Sequence, residues 1–197
     1  MKRFSLIMLV LLLGVSFTFA EDFGAGVSIG GNLAFLSTEG GLDTLLDDRS
    51  PRFGLTAGMY GDYEFHSFKD KIYLSVQPGI FYTMKGFRVD DLKINLDYIE
   101  IPVLLKARMP IDAPVDPYFI IGPSLGINIV RESESGNFSI SSDDKRADFG
   151  IIVGAGVDLE MDLAVDIRAN FGLVNIIDSD TRNQNHSVAL VASYTIM

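Results

Sequence analysis

Phe23-Gly24-Ala25-Gly26-Val27-Ser28-Ile29-Gly30-Gly31-Asn32-Leu33-Ala34-Phe35 is the stretch that decides the fold. Phe23, Ala25, Val27, Ile29, Leu33 and Phe35 fall on one face of an extended chain. Gly24, Gly26, Ser28, Gly30, Asn32 and Ala34 fall on the other. Strict alternation with a period of two predicts a β-strand with one apolar face.

The pattern recurs along the chain. In the third segment Ile72, Leu74, Val76, Ile80, Tyr82 and Met84 oppose Tyr73, Ser75, Gln77, Gly79, Thr83 and Lys85. Ile99, Ile101, Val103, Leu105 and Ala107 oppose Tyr98, Glu100, Lys106 and Arg108 in the fourth. Leu163, Val165, Ile167, Ala169 and Phe171 oppose Asp166, Arg168, Asn170 and Gly172 in the seventh. Arg52–Phe65, Asp116–Arg131, Asp148–Met161 and His186–Met197 complete eight predicted strands. Ser37–Ser50, Gly86–Leu96, Glu132–Ala147 and Val174–Asn185 read as long polar loops. His66–Lys71, Pro110–Val115 and Met161-Asp162 read as short turns. Long and short connections in alternation predict an all-β, eight-stranded, antiparallel, up-and-down transmembrane β-barrel, since closure removes both sheet edges. Both termini are then expected in the periplasm and the long loops outside the cell. Pro78, Pro102 and Pro123 lie inside strands without a ladder donor, and bulges are expected there.

A soluble barrel also alternates, with its apolar face lining a cavity. Two features point the apolar face outward instead. Glycines 24, 26, 30, 54, 58, 79, 122, 126, 150, 154, 156 and 172, twelve of the 19, lie on the polar face. They suit a crowded narrow interior better than a soluble surface. On the apolar face, Phe35, Phe53, Tyr82, Phe149 and Phe171 gather toward the long loops. Phe23, Tyr63, Phe65, Phe119 and Tyr194 gather toward the turns, as two bilayer interfaces would select.

Residues 1–20 read as a signal peptide: Lys2 and Arg3, an apolar run from Phe4 to Val15, then Thr18-Phe19-Ala20. The run is too short for a membrane helix, which needs about 20 apolar residues. Cleavage after Ala20 would leave residues 21–197 as the barrel domain. Taking Lys2 and Arg3 from the 16 basic side chains leaves 14 against 26 acidic, a formal charge of −12 that disfavours nucleic acid as a partner. With no cysteine there is no thiolate chemistry, disulfide framework or lipid-bearing cysteine.

Asp97-Tyr98-Ile99-Glu100-Ile101-Pro102-Val103-Leu104-Leu105-Lys106 and Pro117-Tyr118-Phe119-Ile120-Ile121-Gly122-Pro123 carry a resemblance to a known family. Asp148-Phe149-Gly150 leading to Gly154-Ala155-Gly156-Val157, and Asp166-Ile167-Arg168 leading to Phe171-Gly172-Leu173, extend it. The whole stretch after residue 20 resembles the PorT-like outer-membrane β-barrel family of Bacteroidota. The resemblance implies a fold and an outer-membrane location, and for a few members a part in secretion or gliding. Such barrels often finish on phenylalanine. Here Tyr194 precedes Ile196-Met197, so a weakened assembly signal is expected.

Asp62, Glu64, Glu100, Lys106, Arg108, Asp158, Glu160, Asp166 and Arg168 are predicted to face inward. They read as an internal salt-bridge network filling the bore, with pairs between the fourth and seventh strands. A polar conduit is the alternative. His186-Ser187 would point to opposite faces, and His66-Ser67 falls in a turn, so neither makes a nucleophile–base pair. Asp43, Asp47, Asp48, Asp143 and Asp144 lack calcium-loop spacing, Ser133–Ser142 reads as a loop, and Asn137-Phe138-Ser139 is a bare sequon. No catalytic residue, cofactor or metal site is therefore expected. The expected function is that of a non-enzymatic envelope component or loop-mediated docking module with a filled lumen; the alternative is a narrow porin-like or ligand-conducting barrel. Its partners would be outer-membrane lipid, the barrel-assembly machinery and an envelope protein met through the loops.

Overall fold

The computed structural model describes residues 23–37, 52–68, 71–89, 92–111, 113–133, 147–173 and 184–196. Eight strands run in sequence order: β1 (Phe23–Ser37), β2 (Arg52–Phe68), β3 (Ile72–Val89), β4 (Leu92–Arg108), β5 (Val115–Ser133), β6 (Ala147–Leu159), β7 (Leu163–Gly172) and β8 (Gln184–Thr195). Each pairs antiparallel with the next, and β1 pairs with β8 from Gly26↔Thr195 to Ser37↔Gln184, so the barrel is closed.

Burial is inverted relative to a water-soluble protein. Ile29 is 64% exposed and Leu190 58%, while the inward Asn32 and Asp166 are 2% and 1% exposed. A continuous apolar exterior around a polar interior is stable only where the exterior meets hydrocarbon. Phe53, Phe65, Phe119, Phe149, Phe171 and Tyr194 project into that exterior. Two outward glycines are covered by rings: a Cβ on Gly31 would lie 3.1 Å from the Phe53 ring, and one on Gly61 3.1 Å from Phe23.

Several expectations are corrected. Gly86–Leu96 is not a long loop, because β3 and β4 stay in register to Val89↔Leu92, with only residues 90–91 between them. Phe87, Val89, Leu92, Ile94 and Leu96 keep the period of two through this charged segment. β3, β4 and β5 thus reach 18, 17 and 19 residues, well beyond the ~9–11 that span a bilayer. His66 and Ser67 belong to β2 and not to a turn. The other long connections, over residues 38–51, 134–146 and 174–183, contain Asp43, Asp47, Asp48, Asn137, Asp143 and Asp144. Those residues, like the predicted signal peptide over residues 1–20, lie outside the described ones.

The three prolines produce no bulge. Register runs unchanged past Pro78, Pro102 and Pro123, but each pairs with the following strand only: Pro78↔Val103, Pro102↔Ser124 and Pro123↔Ile151. Pairing toward the preceding strand lapses beside each, between Tyr60↔Gly79 and Tyr63↔Val76 for Pro78. The missing N–H is thus met by a local gap, not by an extra residue. Bulges occur at Phe65, where Glu64↔Ser75 is followed by His66↔Leu74, and at Ile129, where Tyr98↔Asn128 precedes Asp97↔Val130. Asn128 Nδ2 donates to the carbonyls of Asp97 and Val130, both at 3.2 Å, and so satisfies acceptors the second bulge frees.

The β6–β7 turn places Met161 and Asp162 at φ of 69° and 61°. Two successive left-handed residues define the hairpin turn that Asn-Gly fits best, whereas a methionine there carries strain. Replacing Met161-Asp162 with Asn-Gly is expected to stabilise the barrel by about 1 kcal/mol, read as a raised urea midpoint. An unchanged or lowered midpoint would show that the turn is not strained.

Candidate functional site

β4 serves as a ruler for the lumen. From the loop end to the turn end its inward side chains are Tyr98, Glu100, Pro102, Leu104, Lys106 and Arg108, and they pass through three environments. Near the loop end Glu100 pairs with Lys85 of β3. It also accepts from Thr83 Oγ1 at 3.1 Å and from Asn170 Nδ2 of β7 at 3.1 Å. Thr56 and Thr83 hydroxyls lie 3.0 Å apart beside it.

The middle is apolar. Leu104, Tyr118, Ile120, Ile152 and Ala164 form one buried cluster, and Phe81 and Val191 are buried inward as well. This belt had no place in the expected polar lumen. Its signal lay in the unbroken apolar runs Val103-Leu104-Leu105, Phe119-Ile120-Ile121, Ile151-Ile152-Val153 and Leu190-Val191-Ala192. In a strand with one face in lipid, such a run makes the inner face apolar too. Small residues make room for the belt. A Cβ on Gly58 or Gly79 would lie 2.7 or 2.6 Å from the Phe81 ring, and one on Gly156 2.7 Å from the Tyr118 ring.

Charges resume alongside the belt, at Asp166 and Arg168, and then toward the turn end. Asp166 accepts from Arg168 Nε at 2.5 Å, Arg168 Nη2 at 2.9 Å and the Tyr118 hydroxyl at 2.9 Å. Lys106 bonds Asp158 at 2.8 Å and lies 4.2 Å from the Tyr118 ring centre. Arg108 reaches Glu64 at 3.3 Å and Asp116 at 3.7 Å, and Gln77 donates to Asp62 at 2.5 Å. The predicted inward charges are therefore brought together, within one strand for Asp166–Arg168, between adjacent strands for Glu100–Lys85, and across one intervening strand for Lys106–Asp158 and Arg108–Glu64. Between β4 and β7 the tie is the Asn170–Glu100 hydrogen bond and not an ion pair. Glu160 departs from expectation: it sits at the β6–β7 turn and is exposed.

Two spaces remain. A vestibule of about 460 Å³ opens at the turn end between Asp62, Glu64, Lys106, Arg108 and Asp158. A chamber of about 40 Å³ lies on the loop side, among Asn32, Thr56, Glu100 and Asn170. Phe81, Ile152 and Val191 line the chamber, and Ala164 lines the vestibule, so the belt separates the two.

Residues 12–178 match the family model described as outer membrane protein beta-barrel domain. The chain belongs to that family. As an outer-membrane barrel it has solved neighbours of similar fold. One is neisserial surface protein A, with a TM-score of 0.53 and 14% identity, over 86% of this chain and 96% of that one. Another is the outer membrane enzyme PagL, with a TM-score of 0.53 and 10% identity, over 85% and 98%. The attachment invasion locus protein Ail of Yersinia pestis matches at a TM-score of 0.45 and 18% identity, over 89% and 99%. A search of curated proteins returns no match.

The barrel's histidines stand apart from the lumen. Ser187 is buried inward, and His186 is turned to the outer face, its ring 5.9 Å from that of Phe171. In register His186 lies between Phe35 of β1 and Phe171 of β7. His66 stacks edge-on with Phe68 at 4.3 Å. Among the described residues no group of three His, Cys, Asp or Glu side chains could hold a metal ion.

Proposed function

We propose that this outer-membrane barrel is a non-enzymatic envelope component whose bore is sealed and whose contacts are made by its loop end. The apolar belt across the lumen carries this reading. An eight-stranded barrel leaves an interior just wide enough for side chains, and here they include Phe81, Leu104, Ile120, Ile152 and Val191. With nothing passing through, activity falls to the connections over residues 38–51, 134–146 and 174–183 and to the long β3–β4 hairpin. An envelope protein is the favoured partner, alongside the surrounding lipid and the assembly machinery. Residues 1–20 act as the cleaved leader, and the Asp97–Lys106 and Pro117–Pro123 segments support placement in the PorT-like branch. His186 supports no hydrolase: its in-register neighbours, Phe35 and Phe171, are residue types that supply neither nucleophile nor carboxylate.

The second reading is a narrow conductor, favoured by the charged vestibule of about 460 Å³. Planar-bilayer recording separates the two. The purified barrel is expected to leave the current at the bare-membrane level, and a steady single-channel step would overturn the sealed reading. Lipid mass spectrometry of deletion and parent strains is expected to show identical lipid profiles, whereas a changed profile would revive an enzyme.

A further inference from the structure

Asn32 poses a problem the salt-bridge network leaves open. It lies on the inward face of β1, only 2% exposed, and neither its Nδ2 nor its Oδ1 has a hydrogen-bond partner. A buried amide left unmade at both ends is costly, and native interiors seldom tolerate one. The same side chain lines the chamber of about 40 Å³ with Thr56, Glu100, Asn170 and Ser187. A bound water needs on the order of 10–15 Å³ of such space and two to four polar partners. The chamber offers both.

The chemistry of the guest follows from what is unsatisfied. A cation would meet Oδ1 and leave the amide N–H groups orphaned; an anion would do the reverse. The charges beside the chamber are already balanced, Glu100 by Lys85 and Arg168 by Asp166. An ion would therefore bring in an uncompensated charge. Only a guest that donates and accepts fits both atoms. We propose that this chamber is a hydration site, in which bound water joins Asn32 of β1 to the Glu100–Asn170 pair of β4 and β7. Water thereby ties together strands that are not neighbours in the sheet, directly above the apolar belt that stops it.

The test uses the detergent-folded barrel, isotope-labelled for NMR, with water as the probe. Nuclear Overhauser contacts between water and the Asn32 side-chain amide are expected, with the sign of a water bound for longer than nanoseconds. Asn32→Leu, close in shape but apolar, should dry the chamber and lower the urea midpoint. If the amide were an unhydrated orphan, the native barrel would show no such contact and Asn32→Leu would raise the midpoint; either result overturns the proposal. Should Asn32→Leu fail to fold, the contacts of the native barrel decide alone.

Discussion

Asp166→Ala is expected to destabilise the folded barrel by about 3–5 kcal/mol, the loss that follows when one partner of a buried ion pair is removed. Asp166 is the most buried charge among the described residues, and it accepts three hydrogen bonds from Arg168 and Tyr118. Removing it strands a guanidinium whose side chain is 14% exposed, against the 5.7 Å approach of the Phe81 ring, and leaves the Tyr118 hydroxyl without its acceptor. Urea midpoints in detergent measure the loss, with Glu160→Ala at the exposed turn as the control. The double variant Asp166→Ala/Arg168→Leu gives the stricter check. If the cost is the unpaired charge, removing the second charge should recover much of it. Equal midpoints for Asp166→Ala and Glu160→Ala would mean that water reaches the pair freely and that the lumen is far wetter than its packing implies.

The faces of the barrel were legible from alternation because lipid and lumen impose opposite chemistry on successive residues of every strand. Val27 against Ser28, or Ile167 against Asp166, needs no tertiary knowledge to assign. What failed was the treatment of charge as a loop signal between Lys85 and Leu96. Strands longer than the bilayer leave it while still paired, and beyond it their side chains follow the polarity of water. The proline expectation failed for a different reason. In an antiparallel ladder each residue directs its N–H to only one neighbour, so the loss of one donor opens one side and leaves the register intact on the other. The ion-pair partners were not legible at all. Whether Glu100 meets Lys85 or Arg168 depends on the stagger around the closed barrel, which periodicity along a single strand does not encode. Asn32 was visible as a polar residue on the small face, but its missing partners emerge only when Glu100 and Asn170 have been seen to satisfy one another.

The electrical tightness of the barrel is expected to depend on Phe81. Its ring lies over the places where Gly58 and Gly79 carry no Cβ, and it lines the chamber together with Ile152 and Val191. Lys106, Tyr118 and Leu104 close the lumen from the turn side, with the vestibule of about 460 Å³ beyond them. Cutting back both Phe81 and Leu104 to alanine should join the two spaces into one wettable path. Each truncation costs on the order of 2–5 kcal/mol in a packed interior. Folding is therefore confirmed first, by the shift in gel mobility between boiled and unboiled samples. The folded double variant is then expected to pass a steady current in planar bilayers where the unaltered barrel passes none. The increment should be cation-selective, because five carboxylates, Asp62, Glu64, Asp158, Glu160 and Asp162, outnumber Lys106 and Arg108 around the vestibule. A steady current through the unaltered barrel would make the conducting reading the better one. A current in the variant that favoured anions would locate its path elsewhere than through this mouth.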